Sequence, residues 1–551
     1  MQDLPWLRET EDPGAGSPEK SFNIVIELNA HRRAALSEVD TARWSRYHFK
    51  IIVIASMGFF TDSYDIFAIN IAATMLGYIY GKDHALSANQ DLGLKVAAPI
   101  GSIIGQLLFG WLADVIGRKR MYGVELIIMI LGTFGQAVAG EGHAINVLAV
   151  IILWRFIMGL GIGGDCPLST VIPSEFAPTQ HRGTMMAAVW AARAWGASAS
   201  AVVALIITDA YKRALLHDDP TTLVHVDSMW RLLIGLGCVP AAVGLFYRLT
   251  MPETPRFTMD IERNVRQASE DVDTFLTQGK YFIDPDVAVK RVSAPRASKY
   301  DFKRYFSQWQ NKKTLFGVCW SWFAIDLAFY GLGLNTPTIL DTIGFGAPSS
   351  ATTGTLAVHA HLHNLALGNL VLTLAGQLPG AYACVLAIDR VGRKPLQAGG
   401  FAVLAALLVA MGAAADALAA SAAGTRAFVF LFCLATFAAA AGPRTTAAVV
   451  PGELFPTRYR ATANGLAAAC GALGAVVAQV GFARMKDIGG PNRFVQHILE
   501  IFAVFMLSGV ASTMLLPETK GRSLEELSCE DQDEFIEGMA RYRMRPIRLS
   551  E

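Results

Sequence analysis

Apolar positions run along this chain in blocks of about twenty rather than in alternation. Such blocks fall at about 50–79, 93–116, 121–140, 144–166, 183–209 and 229–250. A polar stretch, 251–313, interrupts them. A second series follows at about 314–342, 362–388, 396–415, 426–450, 461–484 and 497–516. A helix needs about twenty apolar residues to cross a bilayer. The pattern therefore predicts an all-α membrane protein with twelve transmembrane helices in two groups of six. The implied segments are a polar N-terminal stretch 1–46, a six-helix unit 47–250, a linker 251–313, a second unit 314–516 and a polar tail 517–551. The start, MQDLPWLRETEDPG, lacks the apolar core of a signal peptide.

The two groups repeat one another. DVIGRK from Asp114 matches DRVGRK from Asp389, and PSEFAPTQHRGT from Pro173 matches PGELFPTRYRAT from Pro451. PETPR from Pro252 follows the sixth block, and PETKG from Pro517 follows the twelfth. Three matches in one order, half a chain apart, indicate duplication into parallel six-helix repeats. Short loops rich in Lys and Arg stay cytoplasmic. GRKRM (117–121) and RVGRKP (390–395) both follow even-numbered spans, so the termini and the linker are expected on the cytoplasmic side.

Composition agrees with a membrane protein. Of 551 residues, 53% are hydrophobic and 17% charged, with net charge +1, against about 25% charged in soluble proteins. Seven scattered cysteines form no CxxC pair, so neither a disulfide framework nor a metal site is expected. The chain shows no phosphate-binding loop, zinc motif or nucleophile elbow. The expectation is no enzyme, no cofactor and no nucleic-acid partner. The linker stretch RASKYDFKRYFSQWQNKK is basic and aromatic, suiting a connector along the cytoplasmic face that touches anionic lipid.

Charges inside apolar blocks mark function by default. Trp322, Asp326 and Tyr330 stand four apart and form one helical stripe, a carboxylate between two aromatic donors. Buried carboxyl groups favour their neutral form, so Asp326 is a candidate proton carrier; the alternative is a structural pairing with an arginine. Asp165 follows glycines and precedes Pro167, which predicts a broken or kinked fourth helix exposing polar groups to a cavity. Asp62 and Asp65, three apart, share a face; each is either a proton carrier or a structural acid near the end of the first span. Glu175 and Glu453 suit charge pairs with basic neighbours such as Arg182 and Arg460. Arg444, inside FAAAAGPRTTAAVVPGE, and Arg193, inside WAARAWG, come from opposite halves. Guanidinium groups fork onto phosphate or carboxylate. Two of them at mid-membrane point to an anion held between the halves. An alternative for Arg444 is an ion pair with Asp326, and a rotated fifth helix would send Arg193 to an interface instead.

GWLADVIGRKR (110–120) and RFIMGLGIGG (155–164) resemble two signatures of the major facilitator superfamily. GFFTDSYDIFAIN, GGDCPLS, SEFAPTQHRGT, WFAIDLAFYGLGLN and VPGELFPTRYRATANG extend the resemblance to the phosphate:proton symporters of fungi and plants, over about 47–520. That resemblance implies a monomeric secondary transporter of the plasma membrane. It implies a substrate site at Asp165, Cys166, Arg193, Trp322, Asp326, Tyr330 and Arg444. It implies proton coupling through Asp62, Asp65, Asp165 and Asp326. A cytoplasmic gate is expected from Asp114, Arg118, Glu175 and Arg182, with Asp389, Arg393, Glu453 and Arg460 in the second half. Four positions depart from the family pattern: Cys166 stands for a tyrosine, Arg193 for a glutamine, Arg444 for an asparagine and Ala472 for a lysine. A pocket so changed suits phosphate or a larger organic anion, such as a phosphoester or a di- or tricarboxylate, imported or exported. A nutrient sensor without net transport is the third reading.

Overall fold

The computed structural model describes residues 40–82, 84–219, 223–250, 254, 299–343, 345 and 354–528. Most of the N-terminal segment, most of the linker and the end of the tail lie outside the described residues. So does RQASEDVD (266–273), a weak candidate phosphorylation site.

Twelve helical spans are present among the described residues. In the first half they are α1 (Arg46–Tyr80), α2 (Ala88–Ile116), α3 (Val124–Ala137), α4 (Val147–Phe176), α5 (Arg182–Ala210) and α6 (Val224–Arg248). In the second they are α7 (Trp309–Gly333), α8 (Thr355–Val391), α9 (Arg393–Ala413), α10 (Ala422–Leu454), α11 (Arg460–Met485) and α12 (Val495–Met514). Eleven are long and apolar enough to cross a membrane. The other, α3, has 14 residues, about 21 Å of helix; Gly123 at its N-terminal end and polar residues beyond Ala139 shorten the block expected at 121–140.

The two halves meet along α2–α11 and α5–α8. Glycine sets the first contact. A Cβ on Gly465 of α11 would stand 2.3 Å from the Gln106 carbonyl of α2, and one on Gly110 would stand 2.7 Å from the Ala461 carbonyl. Only bare backbones approach so closely. Gly465→Ala should therefore hold this end of the halves apart. The expected result is alkylation of Cys166, a cavity thiol, about tenfold faster than in the wild type, the effect of roughly 1.4 kcal/mol on closing. Unchanged alkylation, read by mass spectrometry, would show that the contact does not govern closing.

Of the break or kink expected in α4, no break is present: the helix runs through Pro167 and Pro173 without interruption. Neighbours clamp it. Its glycines lie against the α2 and α3 backbones, a Cβ on Gly163 falling 2.3 Å from the Ser102 carbonyl. A proline costs a buried helix one hydrogen bond but does not unwind a segment clamped on two sides. The interruption falls in α10 instead. Ala422–Ala441 ends at Gly442, with φ −136° and ψ −98°, and a new segment, Pro443–Leu454, begins there. A wider helical turn, Leu372–Gln377, also interrupts α8.

Candidate functional site

Arg444 sits in the first turn of the second α10 segment because Gly442 and Pro443 restart the helix there. It is 6% exposed. Its Nη1 lies 3.5 Å from Asp326 Oδ1, and its guanidinium covers the Phe329 ring at 3.2 Å. Asp326 also accepts from Trp322 Nε1 at 3.1 Å. The stripe on α7 is thus real as geometry, and Tyr330 lies 5.6 Å from the Arg444 guanidinium.

Arg193 is the counterpart from the first half. It is buried between Phe59 and Trp190, 4.6 and 4.5 Å from their ring centres. Such stacking suits a guanidinium stripped of water. Its Nη2 donates to Asp62 Oδ2 at 3.2 Å. It does not snorkel to an interface. Across the gap, Trp190 meets Trp322 edge-on at 6.0 Å.

These groups surround a cavity of about 40 Å³ between the halves. Cys166, Arg193, Trp322, Asp326, Tyr330 and Arg444 all line it, as do Ala472, Lys95, Arg155, Gln106 and Trp190. Four basic side chains thus line it with one carboxylate; Arg193 and Lys95 are also paired outside the lining, with Asp62 and Asp91. Trp190 Nε1 and Arg193 Nε are buried without a hydrogen-bond partner among the described residues. Buried donors left open are costly unless a ligand or water fills them.

Lys95 and Arg155 were not singled out as site residues from the sequence. Lys95 bonds Asp91 at 2.7 Å and Asn335 at 3.2 Å; Arg155 donates to the Leu94 carbonyl at 2.7 Å. The available signal was the one that marked Arg444: a lone cation within an apolar run.

Three expected residues lie elsewhere. Asp165, next to Cys166, is not among the cavity-lining residues. Its Oδ1 is 2.6 Å from Arg248 Nη1 and accepts from Ser169 at 2.6 Å. Arg248 also bonds Glu125 at 2.6 Å, and all three charged side chains are fully buried. Asp62 is the counter-ion of Arg193. Asp65 accepts from Thr133 Oγ1 at 2.8 Å. The two acids are three apart yet have different partners, Asp62 on α5 and Asp65 on α3. Glu125 and Arg248 are further buried charges that the sequence reading passed over.

The loop motifs assemble at the basic-loop end with near two-fold symmetry. Arg118 contacts Asp114 and Glu175, each at 3.2 Å; Arg393 contacts Asp389 and Glu453, each at 2.7 Å. Thr254 donates to Glu175 and Thr519 to Glu453, both at 2.5 Å, which gives the repeated PET motif its role. Each aspartate then caps a helix of the opposite half. Asp114 accepts from the Ala461 and Thr462 amides at the start of α11, and Asp389 from the Thr184 amide at the start of α5. A carboxylate at a helix N-terminus meets free amides and the positive end of the dipole. Arg460 extends the link, reaching Glu175 at 3.0 Å. Arg182 takes another route, to Asp40 at 3.1 Å and to the Arg522 carbonyl at 3.0 Å. The linker helix Lys299–Ser307 packs at this end, Phe302 on Tyr459 and Phe306 on Phe455. At the opposite end Asn70 donates to the Gly333 carbonyl at 2.6 Å.

Two six-helix halves around a buried polar cavity define a secondary transporter of the major facilitator type. The chain belongs to the family described as "Sugar (and other) transporter", whose profile matches residues 51–530. Relatives narrow this. The chain is 44% identical over 531 residues to the repressible high-affinity phosphate permease of Neurospora crassa, covering 92% of this chain and 91% of that protein. It is 42% identical over 550 residues to the inorganic phosphate transporter PHO84 of Saccharomyces cerevisiae, covering 95% and 91%. Among solved structures, the proton:xylose symporter XylE superposes with a TM-score of 0.66 at 21% identity, covering 88% of this chain and 99% of that one. At that identity the likeness concerns the fold.

Proposed function

We propose that the chain imports inorganic phosphate together with protons, by alternating access, as a monomer in the plasma membrane. The observation that carries this reading is the cavity itself, lined by Lys95, Arg155, Arg193 and Arg444, with Trp190 Nε1 and Arg193 Nε left as open buried donors among the described residues. The phosphate transport named for relatives above 40% identity supports it. The restart of α10 adds a helix N-terminus beside Arg444, a further positive element for an anion.

Coupling follows from charge balance. Phosphate takes over Arg444 from Asp326, and the buried carboxylate is left without its counter-charge. An uncompensated buried charge is expensive, so Asp326 takes a proton as the anion binds. The same exchange operates between Arg193 and Asp62. Asp165, locked to Arg248, and Asp65, held by Thr133, extend the proton route away from the anion. The basic loops face the cytoplasm, and their ion pairs close that side while the other loads. Both termini lie on the cytoplasmic face.

The test is uptake of labelled phosphate by the purified protein in liposomes with an acidic exterior, with citrate, malate and glycerophosphate as competitors. Gradient-dependent phosphate uptake that the competitors leave intact is the expected result. Uptake of one of those organic anions in place of phosphate would re-assign the substrate. Phosphate binding without proton-coupled current would favour a sensor.

A further inference from the structure

The first turns of α8 read VHAHLHN, with histidines at 359, 361 and 363. His359 and His363 are four apart and their rings stack at 5.9 Å. Asp209, in the last turn of α5, belongs to the other half and sets its carboxylate between them. Its Oδ1 lies 3.0 Å from His363 Nδ1 and 3.5 Å from His359 Nε2. One donor atom from each of the three lies within 4.8 Å of the others. His359 is 6% exposed, and its Nε2 is buried without a hydrogen-bond partner among the described residues. The Asp209 side chain is 53% exposed, which leaves the cluster open to water. His361 turns away, to Tyr78 at 2.8 Å.

We propose that Asp209, His359 and His363 form a site for a divalent transition metal of the zinc class, one that staples the two halves at the end remote from the basic loops. The sequence reading expected no metal site from its scattered cysteines; the third ligand here comes from another helix, 150 residues away. Two imidazoles and a carboxylate are zinc donors; magnesium and calcium take oxygen shells. Zinc bonds of about 2.0–2.1 Å put tetrahedral ligands about 3.3 Å apart, and the observed 3.0 and 3.5 Å separations flank that value. Water completes the shell from the exposed side. Lys212 lies within electrostatic reach of His359, and its flexible stem lets the ammonium turn to solvent. With two ligands on α8 and one on α5, bound metal ties together helices that must part when this end opens. Zinc would therefore inhibit transport. The inhibition rests on the alternating-access reading; the binding does not.

Titrating the purified full chain with zinc chloride in phosphate-free buffer tests the site. One zinc per chain is expected, with cobalt giving the visible bands of a tetrahedral ion. The His359→Ala/His363→Ala pair should weaken binding by more than the roughly 10–100-fold that loss of an outer-shell partner costs. The single variant His363→Gln, checked for a wild-type melting temperature without metal, should weaken it as well. No saturable binding to the wild type, or equal affinity in the double variant, overturns the site. In vesicles, zinc should slow wild-type uptake, a chelator should restore it, and the double variant should resist. Wild-type uptake insensitive to saturating zinc overturns the staple. Absence of phosphate uptake even without zinc would count against the substrate reading alone, since the titration contains no phosphate.

Discussion

Arg444→Gln lowers the affinity for phosphate, and with it the uptake rate at low phosphate, by at least about 100-fold, or roughly 2.7 kcal/mol. Arg444 is 6% exposed, contacts Asp326 and covers Phe329. Truncating one partner of a buried charge pair costs about 3–5 kcal/mol, because the other charge stays behind uncompensated. The loss therefore includes both the missing contact to the anion and a disturbed Asp326. Arg444→Lys separates the two contributions. It keeps the charge but not the planar fork, so it should recover folding stability more fully than affinity. Saturation kinetics and melting temperatures on the three proteins check this. A wild-type affinity in Arg444→Gln would remove Arg444 from the anion site.

Asp326→Asn uncouples the carrier. The amide keeps the shape and still accepts from Trp322, but it carries no proton and no charge to be balanced. Phosphate exchange between two phosphate-loaded compartments should persist within about tenfold of the wild type, since a neutral side chain mimics the protonated carboxyl group and the loss stays near 1.4 kcal/mol. Accumulation driven by an acidic exterior should vanish. Exchange and gradient-driven uptake measured on the same vesicles separate the two. Gradient-driven accumulation surviving in Asp326→Asn would assign coupling to another acid, Asp62 being next because it balances Arg193.

The spans were legible because lipid demands long apolar runs. The gate was legible because duplication printed it twice: Asp114, Arg118 and Glu175 recur as Asp389, Arg393 and Glu453 in sequence and in contact. Rotation of the helices about their axes was less so. A helix in this protein is apolar toward lipid and often toward its neighbours as well, so its pattern does not announce which face is inside. That is why Asp165 was expected in the cavity alongside Cys166, although only Cys166 lines it, and why the pairing of Asp62 with Arg193 was not anticipated. Lys95 and Arg155 were visible as lone cations, but only the fold brings them round to Arg193 and Arg444. In α4 local propensity allowed a break at the prolines, and the helix, packed against two neighbours, runs on unbroken.

The central claim is that two arginines from opposite halves hold one anion between them. Calorimetric titration of the purified protein with inorganic phosphate tests it most directly, in the wild type, in Arg193→Gln and in Arg444→Gln. The account predicts one phosphate per wild-type chain and a large loss of affinity in each variant, with the melting temperature tracked alongside. Wild-type affinity retained in both variants, with both folded, would contradict it.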